Sequence, residues 1–210
     1  MRITIIGCGN MGRAIGTRAV AGGNDVELID RNPEDANALA QELGKSASAL
    51  DAESPFGGEV VVLALYYPST LEAIEQYRDR LAGKAVVDIC NPVDVQTWDR
   101  LVTPPDSSGA EEAAKLVPQG TPVVKAFNTT YARTLVEGDV AGQRLDILIA
   151  GDDDGAKRKV AELVEGGGPR PLDVGPLVRA RQLEQLGLLH IVMQEPMGWG
   201  FGSAVKFHAP

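Results

Sequence analysis

Positive charge is scarce in this 210-residue chain. Its 20 Lys and Arg stand against 29 Asp and Glu, a formal net charge of −9 at pH 7. A nucleic-acid surface needs an excess of cations to neutralise phosphates, and an anionic membrane surface needs the same. Neither partner is expected. Cysteine is limited to Cys8 and Cys90, each at the end of a strand-like run and without framework spacing. They read as free thiols in a reducing compartment. The two histidines, His190 and His208, have no second ligand or catalytic partner near them in sequence. No Ser-His-Asp order, zinc spacing or nucleophile elbow occurs, so no catalytic residue and no metal ligand is assigned. No apolar run reaches the length of a membrane span. Met1-Arg2 leads into a glycine-interrupted strand rather than a signal-peptide core. The expectation is a cytoplasmic protein.

What is present is alternation. Residues 2–6, Val26–Ile29, "EVVVLAL" (59–65), "KAVVDI" (84–89), "PVVKAF" (122–127) and "LDILIAG" (145–151) read as strands. The unbroken apolar run in "EVVVLAL" marks a parallel strand covered on both faces. Helical patterns fall between them. One runs from Asn10 to Ala21; a second is N-capped by Asn32, with Pro33 at its first position and Gly44 beyond its end. "PSTLEAI" reads as a capping box with Ser69 as cap and Glu72 three residues on. Further helices are expected around 153–165 and 178–193, separated by the connection "GGGPRPLDVGP", with an irregular or extended tail from Glu195 to Pro210. The pattern predicts an α/β Rossmann-type fold: a doubly wound, mainly parallel sheet with helices on both faces and a short C-terminal extension. One domain is expected over 1–210, with its core at about 1–150 and the extension at about 151–210.

In such a sheet ligands bind at the carboxyl ends of the strands, and the unusual residues lie there. "GCGNMG" places Gly7, Gly9 and Gly12 in the G-x-G-x-x-G pattern, after a strand and opening a helix. The first glycine permits the turn, the second lets backbone approach a pyrophosphate, and the third lets helix pack on strand. The loop amides and the helix N-terminus would then hold the anion. Asp30 ends the second strand at the position of an acidic ribose reader, which favours NAD. Arg31 is able to cover a 2′-phosphate or stack on adenine, which favours NADP, and also reads as a solvated charge. Asn32 belongs to the same loop.

The other strand ends carry Leu65, Tyr66, Tyr67 and Pro68; Asn91 and Pro92; and Ala126, Asn128 and Thr129. The tyrosines read as walls of a ring pocket or as cover for the sheet edge. Asn91-Pro92 reads equally as a turn, and Asn128-Thr129 equally as a helix cap. Lys125 reads as a strand-end salt bridge or as a general acid. In "GDDDGAKRK" (151–159), three consecutive carboxylates at a helix start point in different directions, which favours capping over a metal site.

Over nearly its whole length the chain resembles the NADPH:coenzyme F-420 oxidoreductases. The likeness is strongest in "GDDDGAKRKVAELVE", "RPLDVGPLVRARQLEQL" and "GWGFGSAVKF". "KAFNT" and "RNP" are also similar to the oxidoreductase domain of the six-transmembrane metalloreductases. The resemblance implies hydride transfer between NADP or NAD and F-420 or a flavin, small redox cofactors as partners, and a homodimer. Its cofactor-loop roles fall on Gly7, Gly9, Asn10, Met11 and Gly12, and its phosphate-reading loop on Asp30, Arg31 and Asn32. The family typically has a small neutral residue where this chain has Asp30, and archaeal members tend to have His-Thr at Asn128-Thr129. Two further readings stand beside this one: a dehydrogenase of a small organic substrate, and a non-catalytic NAD(P)-binding sensor.

Overall fold

The computed structural model describes residues 1–51 and 53–208; residues 209 and 210 of the expected tail lie outside them. In chain order the elements are β1 (Arg2–Ile6), α1 (Asn10–Ala21), β2 (Asp25–Ile29), α2 (Pro33–Leu43), β3 (Ala47–Ala49), β4 (Val60–Leu63), α3 (Tyr67–Gln76), α4 (Arg78–Leu81), β5 (Ala85–Asp88) and α5 (Gly109–Leu116). They continue with β6 (Val123–Lys125), α6 (Ala132–Glu137), β7 (Asp139–Val140), β8 (Gln143–Arg144), β9 (Asp146–Gly151), α7 (Asp154–Gly166), β10 (Arg170–Gly175), a 3₁₀ turn (Leu177–Arg179), α8 (Ala180–Val192) and α9 (Gln194–Met197).

The main sheet has the order β10-β9-β6-β5-β4-β1-β2-β3. Every neighbouring pair is parallel except β6 and β9, which meet antiparallel over Val124–Gly151 and Lys125–Ala150. This is the expected doubly wound, mainly parallel architecture. Its period of two is visible in the packing. Ile3 and Ile5 of β1, Val60 and Val62 of β4, and Ala85 and Val87 of β5 join one core with α1, α2 and α7. Ile6, Val61, Leu63 and Val86 face the other way, against Ile74, Leu81, Ala110 and Ala113. Strands buried on both faces must be apolar at consecutive positions, which is why "VVVL" shows no alternation.

Three local expectations are corrected. The helix after β4 starts at Tyr67, not after Ser69, and has no side-chain cap. The chain leaves β4 at Leu63 and Pro68 falls in the first turn, where its fixed φ favours helix. Ser69 is therefore inside the first turn and the capping box does not form. "GGGPRPLDVGP", expected as a connection, contains the edge strand β10; its Gly and Pro content hides a strand that is covered on few sides. β3 was likewise not expected, being only three residues long at the opposite edge.

The tail is strapped to β9 and β10. Asp146, at the start of β9, accepts from Arg170 Nε and Nη2 at 2.8 and 2.6 Å. It also accepts from Lys206 Nζ at 2.6 Å and from the Phe207 amide at 2.9 Å. Burial alone would raise this carboxyl, but the Arg170, Lys206 and Phe207 donors outweigh it and hold the pKa at about 2. The stabilisation is therefore complete above the ordinary Asp range and is lost as pH falls through about 2. Asp146→Ala is expected to cost about 2–4 kcal/mol in urea unfolding at neutral pH. The gap between variant and parent should narrow steadily in titrations from about pH 4 downward.

Candidate functional site

The first glycine turn explains itself sterically. Gly7 has φ +102, and a Cβ there would lie 2.5 Å from the Ala64 carbonyl oxygen. A Cβ on Gly12 would lie 1.9 Å from the Gly7 carbonyl oxygen, so α1 packs on β1 only with glycine at this position. Gly9 meets no atom within 4 Å: its side is open. It is also the N-cap of α1 and supplies no side-chain cap. The first amides of the helix therefore have no side-chain cap, and Asn10 is exposed beside them with Met11 half-buried. This is a fitting cradle for a pyrophosphate.

The ribose end is tied to that cradle. The Cys8 amide donates to Asp30 Oδ2 at 2.7 Å, and the Asn32 amide donates to Asp30 Oδ1 at 3.1 Å. Asn32 also caps α2 through Glu34, as expected. Burial first, then the charges of Asp30 and Asp35, push the Cys8 thiol up to about 12. That makes it a poor nucleophile at neutral pH.

The remaining expected segments end β4, β5 and β6, which lie side by side next to β1. Leu65 contacts the glycine turn, its Cδ2 lying 2.8 Å from a Cβ built on Gly7. Tyr66 is 83% exposed and Pro68 is exposed, so Tyr66 walls nothing within this chain; Tyr67 is half-buried. Pro92, Ala126, Asn128 and Thr129 are buried and Asn91 is half-buried. Phe127 sits in the left-handed region (φ +63), which turns the chain sharply after β6. Asn91 and Asn128 come together: Asn128 Nδ2 donates to Asn91 Oδ1 at 2.9 Å, and Asn91 Nδ2 donates to the Asn128 carbonyl at 2.8 Å. Asn128 Nδ2 also donates to the Leu183 carbonyl of α8 at 2.8 Å. Its Oδ1 is fully buried and has no hydrogen-bond partner among the described residues.

Behind this pair lies a buried ion cluster. Lys125 Nζ contacts Asp88 Oδ2 at 2.6 Å, the Cys90 carbonyl at 2.6 Å and Glu184 Oε1 at 2.7 Å. Glu184 also accepts from the amides of Gly109 and Ala110 at the start of α5. Burial works against the lysine charge, but Asp88 and Glu184 outweigh it and hold Lys125 above the usual lysine range. Burial raises Glu184 despite the lysine. Of the two readings of Lys125, the salt bridge is the one present.

Sequence reasoning missed Glu184 and Gly187. Gly187 is a helical glycine whose Cβ would lie 2.3 Å from Asn91 Oδ1, so α8 approaches the asparagine pair only at a glycine. A glycine inside an otherwise good helix was the available signal. His190 was left without a role. It is buried, its Nε2 lies 2.8 Å from Ser203 Oγ of the tail, and its ring stacks on Tyr131. The acidic run behaves as capping: Asp153 caps α7, Asp152 accepts from the Leu177 amide, and Asp154 pairs with Lys157. Among the described residues no cluster of three or more His, Cys, Asp or Glu is arranged to hold a metal, and no helix is long and apolar enough to cross a membrane.

A family model described as NADP oxidoreductase, coenzyme F420-dependent, matches residues 2–92. The F420-dependent NADP reductase of Methanocaldococcus jannaschii is 30% identical, over 89% of this chain and 89% of its own length. This chain belongs to the F420-dependent NADP oxidoreductase family. It is an oxidoreductase. A solved structure of a putative F420-dependent NADP reductase from Arthrobacter covers 99% of both chains at a TM-score of 0.86 and 27% identity. Metalloreductase STEAP3 of Rattus norvegicus is 34% identical over 89% of this chain, which spans 36% of that protein. The glycine turn and the three strand-end segments follow the adjacent strands β1, β4, β5 and β6, and Lys125, at the end of β6, is the pin that ties β5, β6 and α8 together.

Removing that pin leaves two buried carboxylates facing each other. Lys125→Met is expected to cost about 3–5 kcal/mol in urea unfolding. The triple change Lys125→Met, Asp88→Leu, Glu184→Leu should recover most of that loss.

Proposed function

We propose that this chain exchanges a hydride between a nicotinamide dinucleotide and a deazaflavin (F-420) or flavin ring held across the strand ends. The observation that carries the reading is the adjacency of the strand ends. Gly7–Gly12, Leu65–Pro68, Asn91–Pro92 and Ala126–Thr129 end four adjacent strands, β1, β4, β5 and β6. When bound, the reduced nicotinamide supplies two electrons with one hydrogen, and solvent supplies the second proton of the reduced ring. The chain's own residues bind and orient. Amides at the start of α1 hold the pyrophosphate, and the paired Asn91 and Asn128 fix the backbone of the two strand ends beside it. The titratable groups behind the strand ends, Asp88, Lys125 and Glu184, are engaged with one another. That arrangement suits a transfer that depends on proximity and orientation rather than on a protein acid or base.

A homodimer belongs to the same reading. Leu189, Val192, Met197, Trp199 and Phe201 are exposed on one C-terminal region. Leu189 and Trp199 line a cleft of about 520 Å³, and Val192 and Phe201 line a second of about 660 Å³. An apolar patch of this kind is suited to a second copy of the chain.

Stopped-flow absorbance tests the transfer. Reduced dinucleotide mixed with catalytic protein and F-420, FAD or FMN should be oxidised by at least one acceptor. Binding without oxidation by any of them would leave a sensor instead. Light scattering should give twice the monomer mass of 22.2 kDa, and Trp199→Glu should shift the mass toward the monomer.

A further inference from the structure

We infer that the ribose end of this site is built for an unphosphorylated adenosine ribose, so that the chain binds NAD(H) more tightly than NADP(H). The inference rests on the reading of the glycine loop as a dinucleotide cradle, and it departs from the cofactor named for the family.

The argument begins with lone pairs. An ionised carboxylate offers about four acceptor positions. In Asp30 one on each oxygen is taken, Oδ2 by the Cys8 amide and Oδ1 by the Asn32 amide. One bond comes from the glycine loop and the other from the Asn32 amide two residues on, at the N-cap of α2. They fix the carboxylate plane and leave one acceptor position on each oxygen. The ribose of NAD offers two adjacent hydroxyl donors. Two fixed acceptors match two vicinal donors.

A 2′-phosphate fails this match twice. It replaces one donor with a group that only accepts, and it brings negative charge against a carboxylate that has no room to turn away. Asp35 adds to the local charge: its Oδ2 takes the Asn32 side-chain amide at 3.1 Å. The raised Cys8 thiol reports the same field, since the charges of Asp30 and Asp35 both oppose its ionisation. On the other side stands Arg31, exposed and without an ion pair among the described residues. One mobile, hydrated guanidinium offsets part of the repulsion but does not restore the lost donor. Arg13, the nearest cation on α1 by sequence, is occupied by Glu42 at 3.3 Å.

The Cys8 bond has a second effect. In this loop the Cys8 amide is committed to Asp30 and not to the anion. Asp30 therefore shapes the pyrophosphate loop as well as reading the ribose. Replacing it changes selectivity and overall affinity together, and the two are separable only with probes that differ at the 2′ position alone.

The test is a calorimetric titration of the full chain with ADP-ribose and with 2′-phospho-ADP-ribose, followed by NADH and NADPH. These probes need no hydride acceptor. The expected result is tighter binding of the unphosphorylated member of each pair by roughly 10- to 100-fold, the range of one to two charge-assisted hydrogen bonds. Asp30→Ser should bring the ratio to unity or reverse it through Arg31. Asp30→Asn, which keeps the shape and one carbonyl acceptor for the Cys8 amide, should narrow the ratio and safeguard the test if the serine variant folds poorly. Tighter binding of the 2′-phosphate by the parent chain overturns the inference and leaves the hydride-transfer reading intact. A ratio favouring ADP-ribose that neither variant changes also overturns it, because Asp30 is then not the reader. Failure of all four probes to bind sinks the dinucleotide cradle itself.

Discussion

The protonated amine of Lys125 is the point through which the two halves of the molecule are joined. It has no solvent, so its charge exists only because Asp88, Glu184 and the Cys90 carbonyl surround it. Those partners belong to β5, to α8 and to the loop after β5. Glu184 extends the connection to the first amides of α5. Three stretches far apart in sequence, around residues 88–90, 109–110 and 184, are thus fixed relative to one buried nitrogen. The asparagine pair above it inherits that fixity: Asn91 follows β5, Asn128 follows β6, and both are measured against α8. A buried ion cluster adds little net stability compared with well-packed apolar groups. Its value here is geometric, because it tolerates only one arrangement of the strand ends.

The sequence was most legible where a short-range rule acts. The glycine spacing, the Asn32 cap and the unbroken apolar strands are each dictated by atoms a few residues apart. The model meets them: Gly12 presses on the Gly7 carbonyl, Asn32 caps α2, and both faces of β4 are covered. Short-range rules also misled when two competed. Ser69 and Glu72 satisfy the capping-box pattern, yet Pro68 and the short exit from β4 start the helix earlier. What lay beyond reach was long-range pairing. Nothing near Lys125 in sequence announces Glu184, 59 residues away, and nothing near Asn91 announces that Gly187 must be small. β10 was hidden because an edge strand needs less apolar character than a central one.

The same division explains the site. The residues that would touch phosphate are recognisable because backbone approach demands glycine. The residues that would face rings are ordinary Asn, Thr, Leu and Tyr, whose role follows only from strand order. Asp30 lies between these cases. Its position in sequence marks it as a ribose reader, but its rigidity is a tertiary fact, supplied by an amide of the glycine loop 22 residues earlier.

The strap at Asp146 has a consequence for how the chain is made. A ribosome delivers β9 well before Lys206 and Phe207. During that interval the carboxylate at the start of β9 has at most Arg170 as partner. The edge strand β10 is made before the tail and can pair with β9 without it, but the strap across the start of β9 closes only once the tail has been synthesised. The glycine cradle, by contrast, is made of residues that emerge first. A nascent chain of this protein therefore carries the glycines of that turn long before it carries the residues that strap the far side of the sheet.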